Sequence, residues 1–190
     1  MVNKLVAGAV MVAMVAMFLG TGGLAVFTDS ADVTANTFDS GDIEITTSPT
    51  SAVVTFADMI PGDTTGQQPL TVNNIGTDEL RYAISSVADN SDGLGLKDAL
   101  TLTISEDGAT ADECTTDVGA QLYSGDLDST AGLLVGDASQ GADAGDRVLA
   151  SGNSETLCFE VSFALSATGP ENAATTVTFT FDAEQTGNNP

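Results

Sequence analysis

Beyond Ala25 the apolar side chains recur at every second position. Leu157, Phe159, Val161, Phe163 and Leu165 alternate with Cys158, Glu160, Ser162 and Ala164, and Val177, Phe179, Phe181 and Ala183 alternate with Thr176, Thr178, Thr180 and Asp182. The rhythm returns in Leu100, Leu102 and Ile104, in Leu80, Tyr82 and Ile84, in Leu70 and Val72, in Val54 with Phe56, and briefly in Ile43 and Ile45. Successive strand side chains point to opposite faces, so each run predicts a strand with one buried face. Turn chemistry falls between the runs: Pro61-Gly62-Asp63, Asn74-Ile75-Gly76, Asp92-Gly93 and Ser151-Gly152-Asn153. About seven to nine short strands without a long helical pattern predict an all-β, antiparallel β-sandwich. Weak helical turns are expected at Leu94 to Leu100 and around Asp128 to Leu134.

Two stretches depart from this rhythm. From Asp107 to Arg147 the chain is rich in Gly, Ala, Asp and Ser, and reads as a long irregular acidic excursion from the sandwich. At the other end, Lys4 is followed by an uncharged apolar run, Val6 to Leu19, then by Gly20-Thr21-Gly22-Gly23. That run is shorter than the about 20 residues of a membrane span. With a small-x-small site at Gly23-Leu24-Ala25, it reads as a signal peptide helix over residues 1–25. An uncleaved N-terminal anchor is the other reading, and the only route to a membrane. Residues 26–38 then form an N-terminal segment of polar residues with spaced apolar ones, and 39–190 form the sandwich domain.

Charge changes the picture. Of 190 residues, 19 are Asp and eight Glu against four basic residues, a formal net charge of −23. Such self-repulsion opposes compaction at ordinary ionic strength. In molar salt the Debye length falls to about 3 Å and most of it is screened. Scarce Lys and abundant Asp therefore point to a protein built for high salt, as in a halophile. The 42% apolar content argues against an acidic disordered chain. With no basic face, nucleic acid is disfavoured as a partner.

Cys114 and Cys158 are the only cysteines. In an oxidising extracellular space they are expected to pair, two free thiols being the alternative. Closing such a loop contributes up to about 4 kcal/mol in the chain-entropy model. Cys158 falls on the non-core parity of its strand, so a bridge would pin the excursion across the outer face or edge of the sandwich.

Catalytic chemistry is sparse. Without histidine there is no His-based triad, Cys-His dyad or His-containing zinc signature. No Walker loop, dinucleotide fingerprint or N-x-S/T sequon is present. The acids are spread over turns and outward strand positions, which favours a solvated surface over a hydrolytic carboxylate pair. Asp89, Asp92 and Asp98 cluster in one loop, Asp126 and Asp128 in another, Asp143 and Asp146 in a third. Carboxylate oxygens suit calcium, and the first cluster is the weak candidate for it; no catalytic residue, other metal site or other cofactor is expected.

Four motifs, in order, carry a family resemblance. Gly22-Gly23-Leu24-Ala25-Val26-Phe27-Thr28-Asp29 resembles the leader-to-mature junction of the TasA/camelysin family, whose leaders are cut by a dedicated signal peptidase. Phe38-Asp39-Ser40-Gly41-Asp42-Ile43-Glu44-Ile45 is similar to the family's next strand, Pro61-Gly62-Asp63 and Asn74-Ile75-Gly76 to its turns, and Phe179 through Gln185 to its final strand. The middle, from about Leu94 to Ser154, matches much less, and the cysteine-bearing excursion departs from the pattern. The resemblance implies a jelly-roll-like sandwich, secreted to the cell surface, forming biofilm-matrix fibres or bundling pili as a head-to-tail homopolymer. The N-terminal strand of one subunit would be donated to the next, with Phe27, Val33 and Phe38 as anchors and cleavage after Ala25 or Val26 releasing the strand. An accessory fibre protein is a further implied partner. Alternatives are a camelysin-like surface metallopeptidase and a monomeric surface adhesion or binding module.

Overall fold

The computed structural model describes residues 40–51, 53–54, 58–108, 113–115, 117–128, 132–165 and 170–187. Nine strands follow in chain order: β1 (Ile45–Ser48), β2 (Gln68–Asn74), β3 (Leu80–Ala88), β4 (Leu100–Asp107), β5 (Val118–Asp126), β6 (Leu133–Val135), β7 (Arg147–Leu149), β8 (Ser154–Phe163) and β9 (Val177–Gln185). Every pairing is antiparallel, and two sheets result. One has five strands in the order β1-β2-β8-β4-β5. In the other, β3 pairs along its whole length with β9 on one side and end to end with β6 and β7 on the other. Strands distant in sequence interleave, β8 between β2 and β4, so the chain passes repeatedly between the sheets in the manner of a jelly roll.

The alternation that predicted the strands also builds the core. Leu70 and Val72, Leu80, Tyr82 and Ile84, Leu100, Leu102 and Ile104, and Leu157, Phe159, Val161 and Phe163 all lose nearly all exposure in one cluster. Edge-to-face contact of Phe159 with Phe179, centroids 5.1 Å apart, places β9 over β8. At the opposite side of β3, the Arg147 guanidinium on β7 reaches across the sandwich to Glu106 on β4 and Glu155 on β8. Glu155 also accepts a 2.8 Å hydrogen bond from the Tyr82 hydroxyl. Burial, and then the Glu155 charge, push the Tyr82 phenol up. Burial pulls the Arg147 guanidinium down, but its bonds to Glu155 and Glu106 outweigh this and raise it.

Turns lock the sheets together. Asn74 is buried; its Nδ2 donates to Asp78 O at 2.8 Å and Leu149 O at 2.9 Å, and its Oδ1 accepts from Gly76 N at 3.0 Å. Gly76 lies so close to the chain leading into β1 that a Cβ there would come within 2.5 Å of Asp42 O. The Pro61-Gly62-Asp63 turn, with Gly62 at φ +101°, runs back along β8: Gly62 N donates to Phe163 O and Phe163 N to Asp63 O.

Four expectations change. β8 ends at Phe163, where it meets this turn, and Leu165 is 81% exposed rather than core. Val54 packs against the core from irregular backbone, and Phe56 lies outside the described residues. The turn at Leu94 to Leu100 is present as a 3-10 turn, Leu96–Ala99, but Leu133 and Leu134 belong to strand β6 instead of a helical turn. The expected irregular excursion holds β5 and β6. Register shifts between Ile104 and Ser105, and between Ser105 and Asp107, break the period of two there and turn both Leu122 and Tyr123 against the core.

Replacing Asn74 with Ala orphans buried backbone groups worth about 1–3 kcal/mol each, so a loss of about 2–4 kcal/mol is expected. Guanidinium unfolding should show a lower midpoint with an unchanged slope. A wild-type midpoint would remove Asn74 from the account of stability.

Candidate functional site

β9 combines a one-sided strand with a half-buried apolar row. The strand has nine residues, and every pairing it makes is to β3, from Leu80↔Gln185 to Ala88↔Val177. Among the described residues its other edge faces no strand. The core-facing residues Val177, Phe179, Phe181 and Ala183 are only half-buried, whereas their counterparts on β3 and β8 are sealed. Since β7 sits on the β4 side of β8 and β9 on the other side of β3, the open edge of β9 points toward β2 and β1.

Both ends of β9 are fixed. At its start, Asp89 Oδ1 accepts from Thr176 N at 2.6 Å, Asp89 O from the Thr175 hydroxyl, and Asp92 Oδ2 from Ala174 N at 2.7 Å. The backbone N–H of Ala174, then that of Leu94, hold the Asp92 carboxyl below its ordinary value. At its end, Glu184 forms a 2.8 Å ion pair with Arg81 and accepts from Gly141 N, and the Thr186 hydroxyl donates to Glu79. The loop carrying Gly141 folds over the outer face of β3, which is why Arg81 and Ala83 are buried on that face. A small cavity of about 40 Å³ remains there, lined by Arg81, Asp137, Asp146 and Glu184.

The three candidate calcium carboxylates have these partners in the structure. Asp89 and Asp92 converge on the 174–176 segment as backbone acceptors, while Asp98 lies apart from them, 2.9 Å from the Lys97 ammonium. Lys97 also meets Asp128 at 3.1 Å; its hydrogen bonds to Asp98 and then Asp128 raise it. Cys114 and Cys158 are joined in a disulfide, with Cα atoms 5.6 Å apart. Both cysteines are buried, and the bridge straps the 113–115 segment to the outer face of β8. The sequence-predicted cleavage residues Ala25 and Val26, and the donor-strand residues Phe27, Val33 and Phe38, lie outside the described residues.

What sequence reading missed is that β9 has a strand on one side only. Val177 to Gln185 was legible as a strand, but nothing in its alternation distinguishes a strand with two neighbours from one with a single neighbour. The available signal was indirect: polar Thr178, Thr180 and Asp182 on one face, and acids flanking both ends, as suits an exposed edge.

A family model described as Peptidase_M73, camelysin metallo-endopeptidase, matches residues 1–189 of the chain. No curated protein matches it.

The Asp92 clamp predicts an acid-sensitive start to β9. A carboxyl held low in the folded state contributes stability above its unfolded pKa, about 3.9, and loses it as pH falls through the lower folded value. Protection of the Ala174 and Leu94 amides, as exchange corrected for the intrinsic rate at each pH, should fall over that acid range. Asp92→Asn should show the faster exchange at neutral pH with a flatter acid dependence; a profile matching wild type would refute the clamp.

Proposed function

The chain belongs to the camelysin metallo-endopeptidase family, and on that premise we propose that it is an exported structural subunit that polymerises head to tail into extracellular fibres. The N-terminal segment of one copy adds to the open β9 edge of the next. The observation that carries this reading is β9 itself: nine residues paired on one side, with a half-buried apolar row. An added strand would satisfy the unpaired backbone groups and seal Phe179 and Phe181 from water. A contact between two different surfaces of the same chain, with a rotation that does not close, propagates as a filament.

Dimensions fit. Strands rise about 3.3 Å per residue, so β9 needs a partner of roughly 30 Å, which residues 26–38 can span. Parity refines the anchors: Ala31, Val33 and Ala35 share one face with Phe27, but so does Asp29, while Phe38 falls on the other. The regular paired stretch would therefore be 31–37, about 23 Å or seven of the nine β9 positions, presenting small side chains to the bulky Phe179 and Phe181, with Phe27 and Phe38 engaging beyond its ends.

The peptidase reading requires a metal. Zinc of this kind is held by His, carboxylate or thiolate donors. The chain has no histidine, and the one compact donor group among the described residues, Asp107 with Cys114 and Cys158, has both sulfurs tied in the disulfide. That donor set does not fit a metal, and no metal-dependent step follows from it. Pure protein assayed on casein with and without chelator is expected to show no chelator-sensitive cleavage.

Electron microscopy of the mature protein in molar salt should show filaments. Deleting residues 26–38 should abolish them, and Val33→Asp should shorten them, with the sandwich still folded by circular dichroism. Filaments that persist after the deletion would sink strand donation and favour a self-contained surface module.

A further inference from the structure

Oxidants act on proteins first at free thiols and thioethers. Cys114 and Cys158, the chain's two cysteines, are joined to each other and buried. Met1, Met11, Met14 and Met17 lie within residues 1–25, which leaves Met59 as the one thioether beyond them. Met59 is part-buried against the core cluster, whereas its neighbours Asp58 and Ile60 are exposed. Asp58 takes left-handed backbone, φ +59°, which bends the chain just ahead of it. Past Met59 the segment closes a tight turn, Ile60 N donating to Asp63 Oδ2 and Asp63 N to Ile60 O, each at 3.0 Å. Gly62 N to Phe163 O, at 2.8 Å, and Phe163 N to Asp63 O, at 2.9 Å, tie that turn to the end of β8. Met59 gives the turn its apolar hold on the sandwich beside these hydrogen bonds.

We propose that Met59 is a peroxide-responsive modification site whose sulfoxide releases the 58–63 turn from the end of β8. The thioether sulfur attacks one oxygen of the peroxide and the O–O bond breaks. The second oxygen leaves as hydroxide and takes the proton carried by the first, so the products are methionine sulfoxide and water. Sulfur is oxidised and the peroxide reduced. The reaction needs access, which Met59 has in part and the buried bridge lacks. It turns a flexible apolar side chain into a polar one. Holding the new oxygen against the apolar core without a donor is unfavourable. The sulfoxide therefore turns to solvent, and the turn keeps its hydrogen bonds without its apolar anchor. Those bonds then open more often than the rest of the sandwich. A dithiol-dependent reductase reverses the change, sulfoxide and dithiol giving thioether, disulfide and water. None of this depends on fibre formation.

The chain without residues 1–25 is treated with hydrogen peroxide in molar salt and followed by peptide mass and amide exchange. A single added oxygen is expected on the peptide that holds Met59. Protection of the Gly62 and Phe163 amides should fall on the order of tenfold, the scale of losing part of one buried side chain. The Asn74 amide, bonded to Asn153 O beside the other end of β8, should keep its protection. Met59→Leu, close in volume, should hold wild-type protection and be indifferent to peroxide. Met59→Gln should show the weaker protection without any oxidant. Oxygen on Met59 with unchanged protection at Gly62 and Phe163 would overturn the proposal, as would a uniform loss that includes Asn74. An equal peroxide response in Met59→Leu would overturn the assignment to Met59.

Discussion

A five-stranded sheet here is covered by a layer three strands wide, and β3 has to organise that layer alone. Its buried face of Leu80, Tyr82 and Ile84 packs on β8, while its two edges hold β9 on one side and the short β6 and β7 on the other. Hydrophobic burial drives this arrangement, and among the described residues no strand of this layer pairs beyond β9. The half-buried row of β9 is the visible consequence. A sandwich left in this state exposes apolar surface and unpaired backbone together, the combination that strand addition relieves and aggregation exploits.

Scarce positive charge is spent with economy. Each cation among the described residues meets carboxylates: Arg81 with Glu184 on the outer face of β3, Lys97 with Asp98 and Asp128 beside β4, and Arg147 with Glu106 and Glu155 between the sheets. The Arg147 group is the one that spans the sandwich, and with Tyr82 it replaces apolar packing by a hydrogen-bonded cross-tie. Breaking such a group by removing one partner leaves charge in a half-buried place, so it favours one alignment of the sheets over neighbouring ones. The remaining acids, in turns and at outward positions, serve solubility in salt and local turn geometry. Asp89, Asp92 and Asp146 show the latter use, each accepting backbone N–H groups.

Most of the sandwich could be read from alternation because β2, β3, β4, β8 and β9 each bury one face, which writes the period of two directly into the sequence. β5 and β6 were illegible for a physical reason: bulges at Ser105 shift the register, so Leu122 and Tyr123 turn inward as neighbours and the period is lost. The disulfide was legible from two cysteines in an exported chain, and its outer-face position from parity, Cys158 standing opposite Leu157 and Phe159. The one-sided pairing of β9 was not, since sheet order is a property of long-range pairing. Asp89, Asp92 and Asp98 illustrate the same limit: proximity in sequence suggested shared ligands, whereas the fold gives two of them to the start of β9 and the third to a lysine.

One feature bears on how a subunit behaves under mechanical load. Tension on a fibre of such subunits would enter each through its terminal strands, and the Cys114–Cys158 bridge lies between those points along the chain. With 44 positions between the cysteines, it withholds from extension a segment that would otherwise lengthen by about 150 Å at about 3.3–3.6 Å per residue. β5, β6 and β7 all lie inside that segment. If the chain serves in the proposed fibre, a copy that yields would extend only along the chain on either side of the bridge.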